Sequence, residues 1–429
     1  MRMPGRVSAA IETLTEIFER HRPASKALKD WGKAHRFAGS TDRHAIGTLV
    51  FDCLRRRNSL SARMGDGRPR ALVLAALRDI WNVPADHIVA LGTDSHGPGP
   101  VTDAEKIALA RVLRHDLPPH VHGDLPEWLM PSFTAAFGER AAEEGAALAM
   151  RAPIDLRVNA LKSSRNEVLE ALLKFGAVPG PLSPWALRIP PPGPEARNAN
   201  VEAEPAHGRG FYEVQDAGSQ VAALMSGVKP GEAVADICAG AGGKTLALAA
   251  MMQNQGRLVA HDADRHRLRP IFERLQRAGV ENVEVIAADE GEKLATFGSF
   301  DCVFIDAPCS GSGAWRRKPD AKWRLTQKQL QQRISDQRDV LERGAKLVKS
   351  SGRLVYVTCS VLPEENGAQV QVFLSRNKDF HIVPYTEQWR KSIGSDVPAS
   401  ADGSSDTLLL TPARHGTDGF FIAVMMRAI

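Results

Sequence analysis

Two cysteines of this 429-residue chain follow strands that are predicted to be neighbours in a sheet. Cys309 comes after the apolar run 302–305, and Cys359 comes after the run 353–357. Because neighbouring parallel strands end at one edge of a sheet, we expect both thiols to face one crevice. A thiol in a strand-end turn suits reactive chemistry better than core packing, and nearby cations would lower its pKa. The candidate cations are Lys244, Arg316 and Arg317.

Methylation at C5 of a pyrimidine is the chemistry that needs two such thiols. C5 is too weak a nucleophile to attack a methyl sulfonium, but addition of a thiolate at C6 converts it into an enamine carbon that can attack. Asp306 is placed to share a proton with ring N3 and so to stabilise the adduct. A base must then remove the C5 proton before the first thiol leaves. The second thiol is a candidate for this base or for assisting release.

A glycine-rich turn at 239–243 follows a predicted strand and precedes a predicted helix. A Walker A loop would need glycine five residues before Gly243, where the chain has Cys238. A dinucleotide-binding fingerprint beginning at Gly240 would need glycine where the chain has Thr245. These spacings disfavour a nucleoside-triphosphate site and a dehydrogenase.

Three acidic residues accompany this turn. Asp236 ends the strand before it, and Asp262 ends the next strand, where a carboxylate can accept hydrogen bonds from both ribose hydroxyls of an adenosyl group. Asp289, near the end of the third strand, would lie beside an adenine amino group. Carboxylates are compatible with a cationic sulfonium, so this set indicates S-adenosylmethionine as cofactor.

The elements that position these residues change character along the chain. From about 9 to 150 the apolar residues recur at helical spacing, which predicts an all-α part. A strand at 154–158 and a helix at 164–175 begin a small α/β segment. After position 212, apolar strands alternate with helices, which predicts a parallel sheet covered on both faces. The predicted strands there are 233–238, 258–261, 283–287, 302–305 and 353–357, and the helices are 244–252, 264–278 and 326–348.

Composition excludes several classes of protein. With 43% hydrophobic and 24% charged residues the chain is typical of globular proteins, and no apolar run approaches the roughly 18 residues of a membrane span. Charges at Glu12, Glu16 and Glu19 argue against a signal peptide, so we expect a cytoplasmic protein.

The cysteine and histidine patterns argue against a metal site. Five cysteines with no C-x-x-C pair favour neither a disulfide framework nor a zinc finger, and three of them are interpreted as core residues: Cys53, Cys238 and Cys302. The group of His115, His120 and His122 lies in a proline-containing linker without a carboxylate or thiol to complete a ligand set. We therefore expect no metal.

Positive charge is concentrated in two segments. Residues 1–70 hold 15 Lys and Arg against 7 Asp and Glu, and residues 311–349 hold 11 against 4, although the whole chain has a formal net charge of only +5. This pattern is typical of a surface that binds a polyanion such as RNA. It is equally typical of two helix faces that are exposed to solvent.

Four motifs together resemble the RsmB/NOP2/Sun family of RNA 5-methylcytosine methyltransferases. They are DICAGAGGKT at 236–245, DAPCS at 306–310, TCSVLPEEN at 358–366 and DGFF at 418–421. The resemblance covers about 211–429 and implies a Rossmann-like class I methyltransferase domain. It implies that Cys359 is the nucleophile, that Cys309 assists release, that Asp306 contacts the cytosine and that Lys244 lines the active site. The family usually has proline where this chain has Ala241.

The same resemblance implies two further sets of residues. Those expected to bind S-adenosylmethionine are Cys238, Ala239, Gly240, Ala241, Gly242, Gly243, Lys244, Asp262, Arg267, Asp289 and Asp306. The basic residues expected to contact RNA are Arg55, Arg56, Arg57, Arg316, Arg317, Lys318 and Lys322.

Looser matches upstream complete a multidomain prediction. Residues 42–56 resemble the NusB-like helical RNA-binding domain of bacterial family members, and 156–162 with 214–216 resemble their connecting segment. The predicted domains are 1–148, an all-α NusB-like domain, 149–212, a small α/β RRM-like connecting domain, and 213–429, the methyltransferase domain.

The favoured function is therefore cytosine-C5 methylation of ribosomal RNA by a monomer with no membrane partner. Transfer RNA is the alternative substrate. A non-catalytic NusB-like assembly factor is the alternative from another class, and two strand-end thiols argue against it. The hypothesis of an ATP-dependent enzyme is weakened, because Cys238 stands where a Walker A loop needs glycine.

Overall fold

The computed structural model describes residues 1–112, 116–394 and 396–429. Up to position 148 the described chain is helical, and the apolar faces of its longer helices enclose one core with Leu14, Leu49 and Leu74 fully buried. The helices are α1 Met3–Arg20, α2 Ala24–Ala34, α3 Ser40–Arg55, α4 Arg57–Met64, α5 Pro69–Asp79, α6 Ala85–Leu91, α7 Asp103–Ala110, α8 Pro119–His122, α9 Met130–Phe137 and α10 Ala141–Leu148. The predicted all-helical character is confirmed here, and the likeness to NusB stays a prediction.

A small antiparallel sheet follows. Its elements are β1 Ile154–Val158, α11 Arg165–Leu172, β2 Val178–Pro179, β3 Ala186–Ile189, α12 Pro205–Gly208 and β4 Tyr212–Val214. The strand order is β2-β3-β1-β4, and Leu156, Leu187 and Tyr212 are buried beneath α11 and α12. The predicted strand at 154–158 and the helix after it are both present.

The C-terminal part forms a larger α/β unit. Its first elements are α13 Ala217–Leu224, β5 Ala233–Asp236, α14 Gly243–Met251, β6 Arg257–His261, α15 Arg265–Leu268, α16 Ile271–Ala278, β7 Val283–Ile286, β8 Phe300–Asp306, α17 Pro319–Arg324, α18 Gln327–Ala345 and β9 Val348–Thr358. The remaining elements are α19 Gly367–Arg376, β10 Phe380–Val383, α20 Tyr385–Ser392, β11 Leu408–Leu410, α21 Pro412–His415 and β12 Phe420–Arg427. Alternate residues of β8 go to opposite faces: Val303 and Ile305 pack with α18, whereas Phe304 lies in the core beneath α13 and α14.

The larger sheet is mixed, which corrects the prediction of a parallel sheet. The five predicted strands, β7-β6-β5-β8-β9 in spatial order, are parallel. Beyond β9 the order continues with β12 and β10, both antiparallel to their neighbours, and β11 pairs with β12. The buried apolar run at 420–425 is the sequence signal for this extra interior strand, because a strand that is covered on both faces is continuously apolar.

Two predicted boundaries also change. The helix expected at 264–278 is divided into α15 and α16 around Pro270, which has no N–H to continue the hydrogen-bond ladder. Asp289 lies past the end of β7, in a 3₁₀ segment at Ala288–Phe297, and is exposed.

The described residues contain neither a helix with the length and apolar character to cross a bilayer nor a group of side chains that could hold a metal ion. His115, one member of the histidine group, lies outside the described residues.

Candidate active site

The two strand-end thiols lie together. Strands β8 and β9 are adjacent and parallel, with Asp306 opposite Val357, so the turns that follow them leave the sheet side by side. The Sγ atoms of Cys309 and Cys359 are 3.4 Å apart. The two thiols predicted to meet at the strand ends are therefore in contact.

The environment of Cys309 does not favour its thiolate. The contact with the Cys359 thiol and burial both raise the pKa of Cys309 well above its ordinary value. The expected cations do not offset this effect, since Lys244 pairs with Asp306 and the guanidinium groups of Arg316 and Arg317 pair with aspartates elsewhere. The expectation that cations lower the pKa of this thiol is wrong for Cys309.

A lysine–aspartate pair lies beside the thiol turns. Lys244, in the first turn of α14, is 8% exposed and donates to Asp306 Oδ2 over 2.6 Å. Its ammonium group also lies 5.1 Å from the centre of the Phe420 ring. Asp306 is 29% exposed, and the hydrogen bond from Lys244 reaches only one of its two carboxylate oxygens. The pair can therefore present both a hydrogen-bond acceptor and a nearby positive charge.

The glycine turn is shaped by two residues with left-handed backbone. Gly240 has φ of 52° and Gly242 has φ of 85°, a region that side chains disfavour. A Cβ atom on Gly242 would lie 2.5 Å from Ile271 Cγ1, so only glycine fits against α16 at this point. Asp262 accepts a hydrogen bond from the Gly240 N–H at 2.9 Å, and the Arg267 guanidinium lies 3.6 Å from the same carboxylate.

The side chains of three of the basic residues predicted to contact RNA form an interface within the protein. The Arg57 guanidinium lies between the rings of Phe18 and Trp323, and the buried Lys322 ammonium donates to the Arg55 carbonyl over 3.0 Å. Burial lowers the pKa of Lys322 to about 8. Arg55 in turn donates to the carbonyl of Arg316. These cations join the helical part to the segment around α17.

The remaining predicted RNA contacts differ in exposure. Arg316, which is buried, and Arg317 both donate to Asp418, and Arg317 also reaches Asp216 at 2.9 Å. Burial of Arg316 and Lys322 removes these two cations from the surface, which corrects the prediction that they face RNA. Arg56, which is half-buried, and Lys318, which is exposed, are accessible, and their contact with RNA stays a prediction.

Comparison with known proteins extends this description. A family model described as 16S rRNA methyltransferase RsmB/F matches residues 223–426, and a model described as the RsmF/B-like ferredoxin-like domain matches 125–194. A protein of Synechocystis sp. (strain ATCC 27184 / PCC 6803 / Kazusa) named "Probable ribosomal RNA small subunit methyltransferase B" is 30% identical over 421 residues, which cover 90% of this chain and 92% of that protein. This chain belongs to the RsmB/F methyltransferase family.

Other relatives agree with this assignment. The ribosomal RNA small subunit methyltransferase B of Photorhabdus laumondii is 32% identical over 324 residues, 74% of this chain and 69% of that protein. The crystal structure of PH0851 superposes with a TM-score of 0.73 at 25% identity and covers 99% of both chains. A methyltransferase homolog protein from Pyrococcus horikoshii has a TM-score of 0.59 at 28% identity, with 72% of this chain and 97% of that chain covered.

In this RsmB/F-family chain, the residues that organise the thiol turns were missed by the functional predictions. Glu365 is buried and accepts hydrogen bonds from Ser310 and Ser360, which directly follow the two cysteines. Phe420 begins the unpredicted strand β12 and brings its ring to Lys244. In the sequence, the role of Glu365 could have been recognised because it is an acidic residue in the PEEN segment just after a strand-end thiol.

A buried carboxyl beneath the glycine turn predicts a pH-dependent stability. Burial raises the pKa of Asp236 to about 7, although a hydrogen bond from Thr245 acts in the opposite direction. The folded protein therefore holds this proton up to about pH 7, whereas an unfolded chain releases it near pH 4. Ionisation then favours the unfolded state, so this group lowers the free energy of unfolding as pH rises from about 4 to about 7, by roughly 4 kcal/mol.

Asp236→Asn is expected to remove that decline. The measurement is urea unfolding of the variant and the wild type at a series of pH values, compared as the difference between the two proteins, so that other titrating groups cancel. The stability of the variant relative to the wild type should rise between pH 4 and 7. A constant difference over this range would show that Asp236 does not titrate there.

Proposed function

We propose that this chain transfers the methyl group of S-adenosylmethionine to C5 of a cytosine in ribosomal RNA through a covalent adduct between Cys359 and C6 of the base. The observation that carries the proposal is the 3.4 Å contact between two thiols beside the Lys244–Asp306 pair. A methyltransferase that acts on an already nucleophilic atom has no need of a thiol nucleophile, because covalent activation serves a carbon that cannot attack by itself.

The residues around the glycine turn fit S-adenosylmethionine. The turn is flanked by the carboxylates of Asp262, which accepts from the Gly240 N–H at 2.9 Å, and of Asp306, which accepts from Lys244. Such a set favours a cationic ligand over a phosphate. The residues that would hold the cofactor are those of 238–243 with Lys244, Asp262, Arg267, Asp289 and Asp306. When bound, the cofactor supplies an electrophilic methyl group on a sulfonium.

The first chemical step uses Cys359 and Asp306. The Cys359 thiolate forms a bond to C6, and the electron pair of the C5–C6 double bond moves toward C5. The carboxyl of Asp306, held by Lys244, shares a proton with ring N3 and stabilises the charge that develops in the ring. C5 then carries the electron pair that forms the new carbon–carbon bond.

Release requires the reverse movement of electrons. A base from solvent takes the C5 proton, whose electron pair returns to the C5–C6 bond and breaks the bond between C6 and the Cys359 sulfur, which leaves as a thiolate. Cys309 contacts that sulfur and holds its own proton firmly, so it can donate a hydrogen bond to the departing thiolate. These two properties support a role for Cys309 in release rather than in attack.

Ribosomal RNA is proposed as substrate because the relatives at 30% and 32% identity are named for it. The basic segments support an RNA partner in general but do not select among RNAs. We also propose the domain boundaries at 148 and 212 and a NusB-like role for the first domain. The protein is further proposed to be monomeric and cytoplasmic.

The test is methyl transfer from labelled S-adenosylmethionine to unmethylated ribosomal RNA, to small ribosomal subunits and to transfer RNA. Label at C5 of cytosine in ribosomal RNA, free or within the subunit, is the expected result. Label in transfer RNA alone would select the alternative substrate. RNA binding without label in any of the three would favour the assembly-factor function.

A further inference from the structure

Glu365 is the most extensively hydrogen-bonded carboxylate near the thiols. Its side chain is fully buried, and its Oε1 accepts from the Ser310 N–H at 2.7 Å and from Gln337 Nε2 at 3.1 Å. Its Oε2 accepts from the hydroxyls of Ser310 and Ser360, each at 2.5 Å. The carboxylate therefore joins the turn of Cys309 to the turn of Cys359.

The carboxylate itself is held in place. The Tyr356 hydroxyl donates to the Glu365 carbonyl at 2.6 Å, and the Glu365 N–H donates to the Leu362 carbonyl at 3.1 Å. Tyr356 belongs to β9, a buried interior strand of the sheet, so Glu365 is anchored to the sheet as well as to the turns.

The two turns depend on this carboxylate to different degrees. The turn of Cys359 has other anchors, since the Gly313 N–H donates to the Cys359 carbonyl and Asn366 bonds both Thr358 and Ser360. The turn of Cys309 has fewer, among them the Ala307 N–H donating to the Val357 carbonyl at 2.8 Å and the Ser312 N–H donating to the Ser310 hydroxyl at 3.3 Å. Gln337 donates to the Pro308 carbonyl at 2.9 Å and is itself bonded to Glu365, while Ser310 bonds Glu365 directly.

We propose that Glu365 is a positioning residue that holds Cys309 against Cys359 and thereby sets the rate at which the covalent RNA adduct is released. The part of this proposal that concerns the RNA adduct rests on the proposed function. The placement of the two thiols can be tested without RNA. Loss of the Glu365 carboxylate should displace the Cys309 turn more than the Cys359 turn. The release step should then slow while formation of the adduct continues.

Two variants are expected to displace the Cys309 turn to different degrees. Glu365→Ala removes all four acceptor contacts. Glu365→Gln keeps an oxygen for Ser310 and Gln337, and its amide can donate to the serine hydroxyls, which can rotate to accept. Glutamine is nearly isosteric with glutamate, so Glu365→Gln is the conservative variant. Glu364→Gln is the matched control, because the Glu364 side chain bonds Ser132 and no hydrogen bond joins it to either cysteine turn in the described chain.

The first measurement separates formation of the adduct from its release. RNA carrying 5-fluorocytosine at the target traps the adduct, since fluorine cannot leave as the C5 proton does, and so reports formation alone. We expect Glu365→Ala to form this adduct within about threefold of wild type but to turn over ordinary RNA roughly 10- to 100-fold more slowly, with adduct accumulating. Glu365→Gln should recover most of the turnover, and Glu364→Gln should match wild type.

The second measurement reports thiol placement without methyl transfer. Phenylarsine oxide condenses with two neighbouring thiols, forming two As–S bonds and releasing one water. We expect intact mass analysis to show one bridged arsenic in the wild type, no bridge in Cys309→Ser, and bridging roughly tenfold weaker or more in Glu365→Ala. If the wild type transfers no methyl group to any RNA, the proposed function fails while this measurement still decides the placement of Cys309.

Equal arsenic bridging in Glu365→Ala and wild type would overturn the proposal, as would a loss of adduct formation as large as the loss of turnover. Thermal unfolding of each variant identifies any that does not fold. Ser310→Ala then replaces Glu365→Ala, because it removes the hydroxyl contact and leaves the carboxylate in place. It should show the same selective slowing of release to a smaller degree.

Discussion

Replacement of Cys359 by alanine is expected to lower methyl transfer by roughly 10⁴-fold or more and to abolish covalent attachment to RNA. The thiol is the group that converts C5 into a nucleophile, so the step without it has to proceed from an unactivated carbon. Removal of a nucleophile from a catalytic unit has effects of this order. The measurement is single-turnover methyl transfer with labelled cofactor, together with gel analysis of protein bound covalently to RNA.

The control for this experiment is Cys53→Ala. Cys53 is buried in the helical core, away from the crevice, and burial raises its pKa well above the ordinary value. We expect this variant to keep its transfer rate within about threefold of wild type even if it is somewhat less stable. Near-normal transfer by Cys359→Ala would show that the methylated atom needs no covalent activation, and the proposed chemistry would be wrong.

Replacement of Cys309 by alanine is expected to have the opposite effect on the covalent species. The adduct should form and receive its methyl group, but release should slow by roughly 100-fold or more, because the departing sulfur loses the thiol 3.4 Å away that is proposed to donate a hydrogen bond to it. A band of protein covalently attached to RNA should persist in denaturing gels. Wild type under the same conditions should show little of it.

The double variant Cys309→Ala with Cys359→Ala tests the division of roles. It should form no covalent band, because the attacking sulfur is absent. If Cys309→Ala instead abolished the band and Cys359→Ala trapped it, the assignment of attack and release would be reversed. If neither single variant altered the band, the thiol pair would have no part in the chemistry.

Much of the site could be predicted from strand ends. Apolar runs followed by Asp306 and by the cysteine turns indicate neighbouring parallel strands, and parallel strands bring their carboxyl ends to one edge. The glycine turn before α14 and Asp262 after β6 were placed by the same rule, and the structure joins them through a hydrogen bond. These relations depend on local pattern and chain direction, which a sequence carries explicitly.

The partners of the charged groups could not be predicted in this way. Arg316 and Lys322 stand in a basic run that is typical of an RNA-binding surface, yet both are buried. Arg316 is bonded to Asp418, 102 positions away. Whether a cation faces solvent or a carboxylate depends on which distant segments pack against it, and charge counts along the chain contain no information about that.

The sequence by itself determined the chemistry available to this protein: two thiols and an aspartate that follow strands, and a lysine that follows a glycine turn. Tertiary structure alone decided their working arrangement. The antiparallel strand β12 brings Phe420 to Lys244, and buried Glu365 joins the two thiol turns. The physical reason is that strand-end residues are placed by local periodicity, whereas contact distances and the satisfaction of buried polar groups depend on segments far apart in the chain.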